Sequence, residues 1–518
     1  MSRALKWVFG AICLVILLGP IFQLAFEAKS VEQDVWEHLS SHLLLPSVVS
    51  TLVFSLGSAT VAIIVGTSWA LISLFAKKTF IYTVSMSLLL AVPTYVMGFL
   101  FLSFVDYSGP LQTLLVRWFG ESATFEPRTL PISVFIYGIV ASPYVYFSVL
   151  AGIKSQITTL IEASVSLGSG LQETISRVIL PIIFPWAFGG GLLVALEASA
   201  DFGFVDFFGI NTLSRLLYKS WGALFSFGGA SVISLFLLFI CIILLLGSRT
   251  YKRPVLNTSV SHFPSLRRIF PIPTSSKILL IGATTLGIGI FNALPIGILF
   301  FHGRSFNLWW ELPWMDSLLS TFVIGGLSCT FVGLGMIALF FSWKGKSWIN
   351  IFLLGYGLPG TLLAVGYYLF ASNILGETFL SAGSFILMTM LMLLYFSKFG
   401  GLMLRGLGDQ YRHIDKSYTE AAQTLGSRLK GFLRVEIPLF RPAILLGFGL
   451  LFLETIKELP AALMIKPLSK PSLSLRVYQY AAESDWERAS IYSLVLIALV
   501  LIVSLILKLA GNINVHRN

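Results

Sequence analysis

Twelve runs of apolar residues, each near the length needed to cross a bilayer, take up most of this chain. They are 5–26, 48–75, 80–104, 130–153, 178–200, 229–247, 277–301, 318–342, 347–371, 380–405, 437–456 and 488–509. At 1.5 Å rise per residue, a helix of about 20 residues covers the hydrocarbon core. Charged residues make up 11% of the 518 and hydrophobic ones 56%, whereas a soluble domain carries about 25% charge. The expected fold is therefore an all-α integral membrane protein with about twelve transmembrane helices. No convincing small-residue cleavage site follows the first run, which reads as a retained signal anchor.

Charge placement orients the spans. With the amino terminus in the cytoplasm, the inside segments hold 23 Lys/Arg against 6 Asp/Glu, and the rest of the chain holds 12 and 18. This is a positive-inside bias. The net charge of +11 is thus a topological signal and implies no nucleic-acid partner. Both termini are expected in the cytoplasm, and membrane lipid is the surrounding partner.

The stretch SRTYKRPVLNTSVSHFPSLRRIFPIPTSSK (248–277) contains six basic residues, four prolines and no acid. Six runs precede it and six follow, so the expected division is a six-span unit at 1–247, a basic cytoplasmic linker at 248–276 and a second unit at 277–518. Words recur between the units. VSTLVFSLGSATVAIIVG (49–66) pairs with LSTFVIGGLSCTFVGLG (319–335), Pro93 with Pro359, and RVILP (177–181) with RVEIP (434–438). Glu197 and Glu454 each stand 16 residues after the proline of those last words. Two tandem six-helix repeats in parallel orientation are the economical reading.

Another word is written twice on the cytoplasmic side, as EASVSLG (162–168) and EAAQTLG (420–426). Glu and Ala favour helix, Ala leaves a shallow surface, and Gly168 or Gly426 permits a sharp turn. Pro181 or Pro438 then opens the next span, where a first-turn proline is tolerated. The expectation is a short helix, a glycine turn and a second helix, forming a docking knob.

This pair resembles the EAA loop of ABC importer permeases, in which Glu-Ala-Ala, three residues, Gly, nine residues and Ile-x-Leu-Pro form a helix that seats in the ATP-binding subunit. The first copy matches at Glu162, Ala163, Gly168, Ile179 and Pro181, with Ser164 where a second Ala is usual. The second matches at Glu420, Ala421, Ala422, Gly426 and Pro438, with one residue fewer between Gly and Pro. A fused twelve-span chain with EASADFGFVDFFG (197–209) and KELPAALMIKP (457–467) looks like the ferric iron permeases. Thiamine permeases are the alternative by architecture. The resemblance implies a cytoplasmic ABC ATPase dimer that uses the ATP, a periplasmic substrate-binding protein and a place in the bacterial inner membrane. It implies no cofactor on this chain.

No residue looks set for catalysis, so the chain reads as a permease and not an enzyme. Gly345-Lys346-Ser347 lacks the upstream glycine of a phosphate loop, since Phe340 stands there. Glu197, Asp201, Glu454 and Glu458 are the acids at membrane depth, with Asp201 and Glu458 four residues after the glutamates on the same helix face. Hard ferric iron prefers oxygen ligands. Two readings stay open: four carboxylates converging on a central axis as transient stations, or acids at periplasmic helix ends and in pairs with cations such as Lys457. Tyr144, Tyr146, Tyr367 and Tyr368 read as interfacial aromatic belts. His38, His42, His262, His302, His413 and His516 are scattered, Cys13, Cys241 and Cys329 read as small core residues, and no fixed metal site is expected. A self-contained ion-coupled transporter is the competing class; it would not need two docking loops.

Overall fold

The computed structural model describes residues 3–75, 79–250, 286–343, 346–376, 383–414, 432–467 and 469–515, with positions 279, 282 and 283. The principal helices are α1 (Arg3–Glu27), α2 (Leu44–Phe75), α3 (Thr79–Ala91), α4 (Thr94–Val105), α5 (Leu130–Ser166), α6 (Leu180–Ala200), α7 (Leu213–Gly222) and α8 (Phe227–Thr250). In the later part they are α9 (Leu294–His302), α10 (Trp314–Trp343), α11 (Gly360–Leu375), α12 (Ser384–His413), α13 (Ile437–Lys457), α14 (Leu473–Ala482) and α15 (Trp486–Val515). Among the described residues there is no strand. The all-α expectation holds.

The count of twelve spans is not reproduced. Among the described residues ten helices are long and apolar enough to cross a membrane, or eleven if the pair Trp348–Gly357 and Gly360–Leu375, bent by 114°, is one broken span. The expected run 80–104 is broken between α3 and α4, where Pro93 supplies no amide to continue the ladder. Pro359 makes the matching break before α11. Of the seventh run, the structure describes a shorter apolar helix, Leu286–His302. Residues 251–278, most of the linker, lie outside the described residues.

Small residues let the helices approach. On α2, Thr51, Ser55, Ser58, Ala59, Ala62 and Gly66 are buried in one stripe, as expected where packing in lipid depends on close backbone contact. A Cβ added to Gly66 would lie 2.6 Å from the Ser142 carbonyl oxygen on α5 and 2.8 Å from the Val145 Cβ. The α2–α5 contact is thus closed to larger side chains at that level.

The early and late parts of the chain interlock crosswise. Helix α1 packs on α11, where the Tyr367 hydroxyl donates to the Ile16 carbonyl at 2.6 Å and the Leu393 carbonyl lies 2.9 Å away. In the other direction, the segment before α9 lies on the early helices: Asn292 Nδ2 donates to Ser85 Oγ at 2.7 Å, and the Phe291 ring lies 6.3 Å from that of Trp69. Tyr146 and Tyr367 are 0% and 2% exposed, so these two are interior residues and not the belt their spacing suggested. The three cysteines are free and buried.

Candidate functional site

Helices α6 and α13 each end on an acid. A helix terminus leaves backbone groups without partners, and here the first residue past the end serves the short helix that follows. The Asp201 carboxylate accepts from the Phe204 amide at 2.9 Å and from the Thr94 hydroxyl, with Tyr137 beside it. The Glu458 carboxylate accepts from the Ala461 and Ala462 amides at 3.1 and 3.3 Å, from the Tyr395 hydroxyl at 3.3 Å and from Lys398 Nζ at 3.1 Å. Further matching bonds hold both corners: Thr51 Oγ1 accepts from the Leu213 amide and Thr321 Oγ1 from the Leu473 amide, each at 2.9 Å. Ser214 and Ser474 donate to the Asp201 and Glu458 carbonyls at 2.7 and 3.3 Å.

One helical turn back lie Glu197 and Glu454. Glu197 lies beside Tyr356, which in turn neighbours Tyr144, and it is within electrostatic reach of Glu454, Lys398 and Asp201. Glu454 pairs with Lys457 at 3.4 Å. The structure therefore brings the four sequence-selected acids into one region, where the early and late parts of the chain meet. Tyr137 and Tyr144 lie about 10 and 20 Å along α5 from its start at Leu130, at 1.5 Å per residue, within Leu130–Ile153, the part of α5 that is long and apolar enough to cross a membrane. Asp201 and Glu458 stand just past the ends of α6 and α13, and Glu454 pairs with Lys457.

Sequence reasoning passed over Lys398, Thr94, Tyr95, Tyr137, Tyr356 and Tyr395. Lys398 lies midway along α12, and its side chain is 16% exposed against 3% for Glu458. A lysine inside an apolar run was itself a usable signal. Gly360 makes room for the pair, since a Cβ there would lie 2.3 Å from Glu458 Oε1 and 3.0 Å from Lys398 Nζ. Lys398→Met leaves a buried carboxylate without its cation, a change that costs about 3–5 kcal/mol. Thermal unfolding is expected to show that loss, and the added change Glu458→Gln, which removes the orphaned charge, should restore much of it.

The word EASVSLG is built differently from the expected short helix. Glu162, Ala163 and Ser164 form the last turns of α5, a 37-residue helix. Leu167 ends it, and Gly168 takes φ +87°, a left-handed value that glycine adopts freely. The Gly168 amide donates to the Val165 carbonyl at 2.9 Å and the Ser169 amide to the Ser164 carbonyl at 3.1 Å. Ser164 is buried against Thr174, Oγ to Oγ1 3.2 Å. Glu162, Ala163 and Gly168 are exposed, as is Pro181 in the first turn of α6. Leu167 is 86% exposed, an apolar tip on a polar turn. In the second copy, Glu420, Ala421, Ala422 and Gly426 lie outside the described residues. Pro438 is described, exposed in the first turn of α13 after a π-turn at Phe432–Glu436 that matches one at Ile175–Ile179.

Among the described residues, no group of three or more His, Cys, Asp or Glu side chains is arranged to cage a metal ion. No family model matches the chain. Curated relatives cover most of it. The Fe(3+)-transport system permease protein FbpB 2 of Haemophilus influenzae is 24% identical over 82% of this chain and 81% of its own length. The putative ferric transport system permease protein FbpB 1 of the same organism is 23% identical over 84% and 72%. The ferric transport system permease protein FbpB of Actinobacillus pleuropneumoniae is 22% identical over 98% and 78%.

Proposed function

We infer that this chain is the membrane permease of an ABC importer for ferric iron, a multi-pass protein that moves its cargo while a separate subunit hydrolyses ATP. Its relatives along most of its length are named for ferric transport. The observation that carries the reading is the meeting of Glu197, Asp201, Glu454 and Glu458 inside the span, from two helices that end alike. Carboxylates are the oxygen donors a hard cation needs when it leaves water. Shared donors also suit a passage better than one tight cage, because the ion must leave again.

The chain divides into a repeat at 1–247, a basic linker at 248–276 and a repeat at 277–518. Both termini face the cytoplasm of a bacterium, and the protein lies in its inner membrane. An iron-binding protein delivers cargo from the periplasm. A dimer of ATPase subunits docks on the two cytoplasmic loops, at Glu162, Ala163, Ser164, Gly168 and Pro181 and at Glu420, Ala421, Ala422, Gly426 and Pro438. No cofactor belongs to this chain, whose only GKS triplet lacks the phosphate-loop glycine.

Helix α5 supplies the mechanical link. It carries Tyr137 and Tyr144 at the carboxylates and the exposed Glu162–Ala163 pair at its far end. At 1.5 Å per residue it is about 55 Å long, so a push on the cytoplasmic tip moves groups at the site. Pro143 lies inside it and removes a ladder hydrogen bond, which makes that level a natural place to bend. Purification of the chain from its host under mild detergent tests the class. An ATPase subunit is expected to come with it; a chain that transports alone would be an ion-coupled carrier. Thiamine remains the competing cargo.

A further inference from the structure

Past the acids, the early and late parts of the chain touch through the segments that follow α6 and α13. The residues next to Asp201 and Glu458 take part. A Cβ on Gly203 would lie 2.8 Å from Leu459 Cδ2 and 2.9 Å from the Tyr95 Cβ, so the backbone is pressed into the seam there. The Tyr478 ring, on α14, lies 5.6 Å from that of Phe202 and 5.5 Å from that of Phe207. Phe99 on α4 stacks on Trp486, the first residue of α15, at 6.1 Å. The Phe204 ring lies 5.0 Å from that of Tyr137, which is nearer the Leu130 end of α5 than Tyr144 is. The seam therefore lies on the side of the acids away from the Gly168 corner.

One polar bond spans this apolar contact. The Tyr478 hydroxyl donates to Asp206 Oδ2 at 2.7 Å. Asp206 is fixed from its own side of the seam: Arg215 Nε donates to its Oδ1 at 2.8 Å, and Arg215 Nη1 donates to the Gly209 carbonyl at 2.7 Å and to Asn211 Oδ1 at 3.0 Å. When the two sides part, Arg215 stays with Asp206 and only Tyr478 leaves. The Arg215 and Asp206 side chains are 17% and 23% exposed, so water can take the place of the hydroxyl on Oδ2. The bond is charge-assisted, hence firm when made, yet breaking it strands no buried charge. The arrangement is also single. With Glu197 matched to Glu454 and Leu213 to Leu473, the places of Asp206, Arg215 and Tyr218 fall in the second repeat to Leu463, Leu475 and Tyr478. The tyrosine is common to both repeats, and the carboxylate with its arginine occurs in one.

We propose that the Tyr478–Asp206 bond is a latch between the two repeats, which when closed shuts the four acids off from the face opposite the Gly168 corner. The proposal rests on the importer reading and adds to it the contact that opens for cargo. Arg215 is a positioning residue: it keeps Asp206 aimed across the seam, so that Tyr478 finds the same oxygen each time the seam closes.

Tyr478→Phe separates a latch from a brace. It removes the hydroxyl and keeps the ring against Phe202 and Phe207, while Tyr218→Phe removes the matching hydroxyl without touching the bond to Asp206. The reporter is Glu197→Cys in a chain whose Cys13, Cys241 and Cys329 are replaced by serine. In sealed vesicles it meets a charged, membrane-impermeant thiol reagent supplied to one side at a time. Alkylation is expected to be about fivefold faster with Tyr478→Phe than with Tyr218→Phe, from one side only, as the loss of a single net hydrogen bond implies. In the purified complex, ATP hydrolysis without the iron-loaded binding protein should rise in Tyr478→Phe, since the open state becomes more populated. Joining Asp206→Cys to Tyr478→Cys with a short reducible thiol cross-linker should stop uptake, and a reductant should return it to the level of the variant before cross-linking. Equal alkylation rates in the two phenylalanine variants, or uptake that continues through the cross-linked chain, overturn the latch. A lower Tm for Tyr478→Phe with unchanged alkylation does so too, and makes the bond a brace. If no ATPase accompanies the chain but the one-sided acceleration appears, the importer reading fails and the latch stands.

Discussion

With Gly168→Pro and Gly426→Pro combined, the chain is expected to reach the membrane at its normal level and to lose ATP-driven uptake altogether. The reason is local. Gly168 sits at φ +87°, and proline is locked near −65°. The turn from α5 into the segment leading to α6 cannot form with that residue in place. Leu167, exposed at the tip beside it, would be re-aimed along with Ala163 and Glu162. A Cβ on Gly168 would have no neighbour within 4 Å, so a larger residue there meets none of the described helices. Insertion should therefore survive while docking fails. Gly168→Ala gives the graded control: space is free, and the cost is the left-handed backbone alone, about 1–2 kcal/mol. Uptake and ATPase co-purification, measured at matched membrane levels, check both variants. Normal uptake in the double proline variant would remove the docking role from these loops.

The second large effect concerns the carboxylates. Glu197→Gln with Glu454→Gln is expected to cut iron uptake severely while the ATPase still binds. A trivalent ion that leaves its carrier needs charged oxygen donors in a low-dielectric interior, and an amide carbonyl is a weaker partner. The structure helps to separate transport from assembly, because both glutamates lie near Tyr144 in the apolar part of α5 while the exposed Glu162–Ala163 corner is at the far end of that helix. Neutralising Glu454 also leaves Lys457 without its partner at 3.4 Å, which adds a repulsive charge near the ion. If the acids only brace helix ends, stability and assembly should fall together with uptake. Uptake equal to wild type in an assembled complex would make them structural.

Much of this was legible in the residues. Apolar runs of the right length become helices, and Pro93 and Pro359 break the runs in which they stand. Gly168 turns left-handed where the word EASVSLG places a glycine after a helix. The acids read as a set because ionisable side chains are rare at that depth, and they do meet. What the chain did not disclose is how its distant parts pair. Helices that are apolar all round show no preferred face, so nothing in the sequence said that α1 would lie on α11 or that Tyr356 would reach Glu197. The same blindness hid Lys398: a basic residue near the end of an apolar run looks cytoplasmic until a carboxylate 60 positions away is found 3.1 Å from it. The expected docking helix also merged into α5, because Glu and Ala favour helix and no proline or glycine stands between Gly152 and Gly168.

The most direct test is uptake in sealed vesicles that contain only this chain and its co-purifying ATPase, with the iron-loaded binding protein outside and ATP inside. The account predicts ferric iron accumulating in the lumen, dependent on ATP, on the binding protein and on this chain, and undiminished by excess thiamine. Accumulation of thiamine instead of iron, or iron entry that persists without the ATPase, would contradict it.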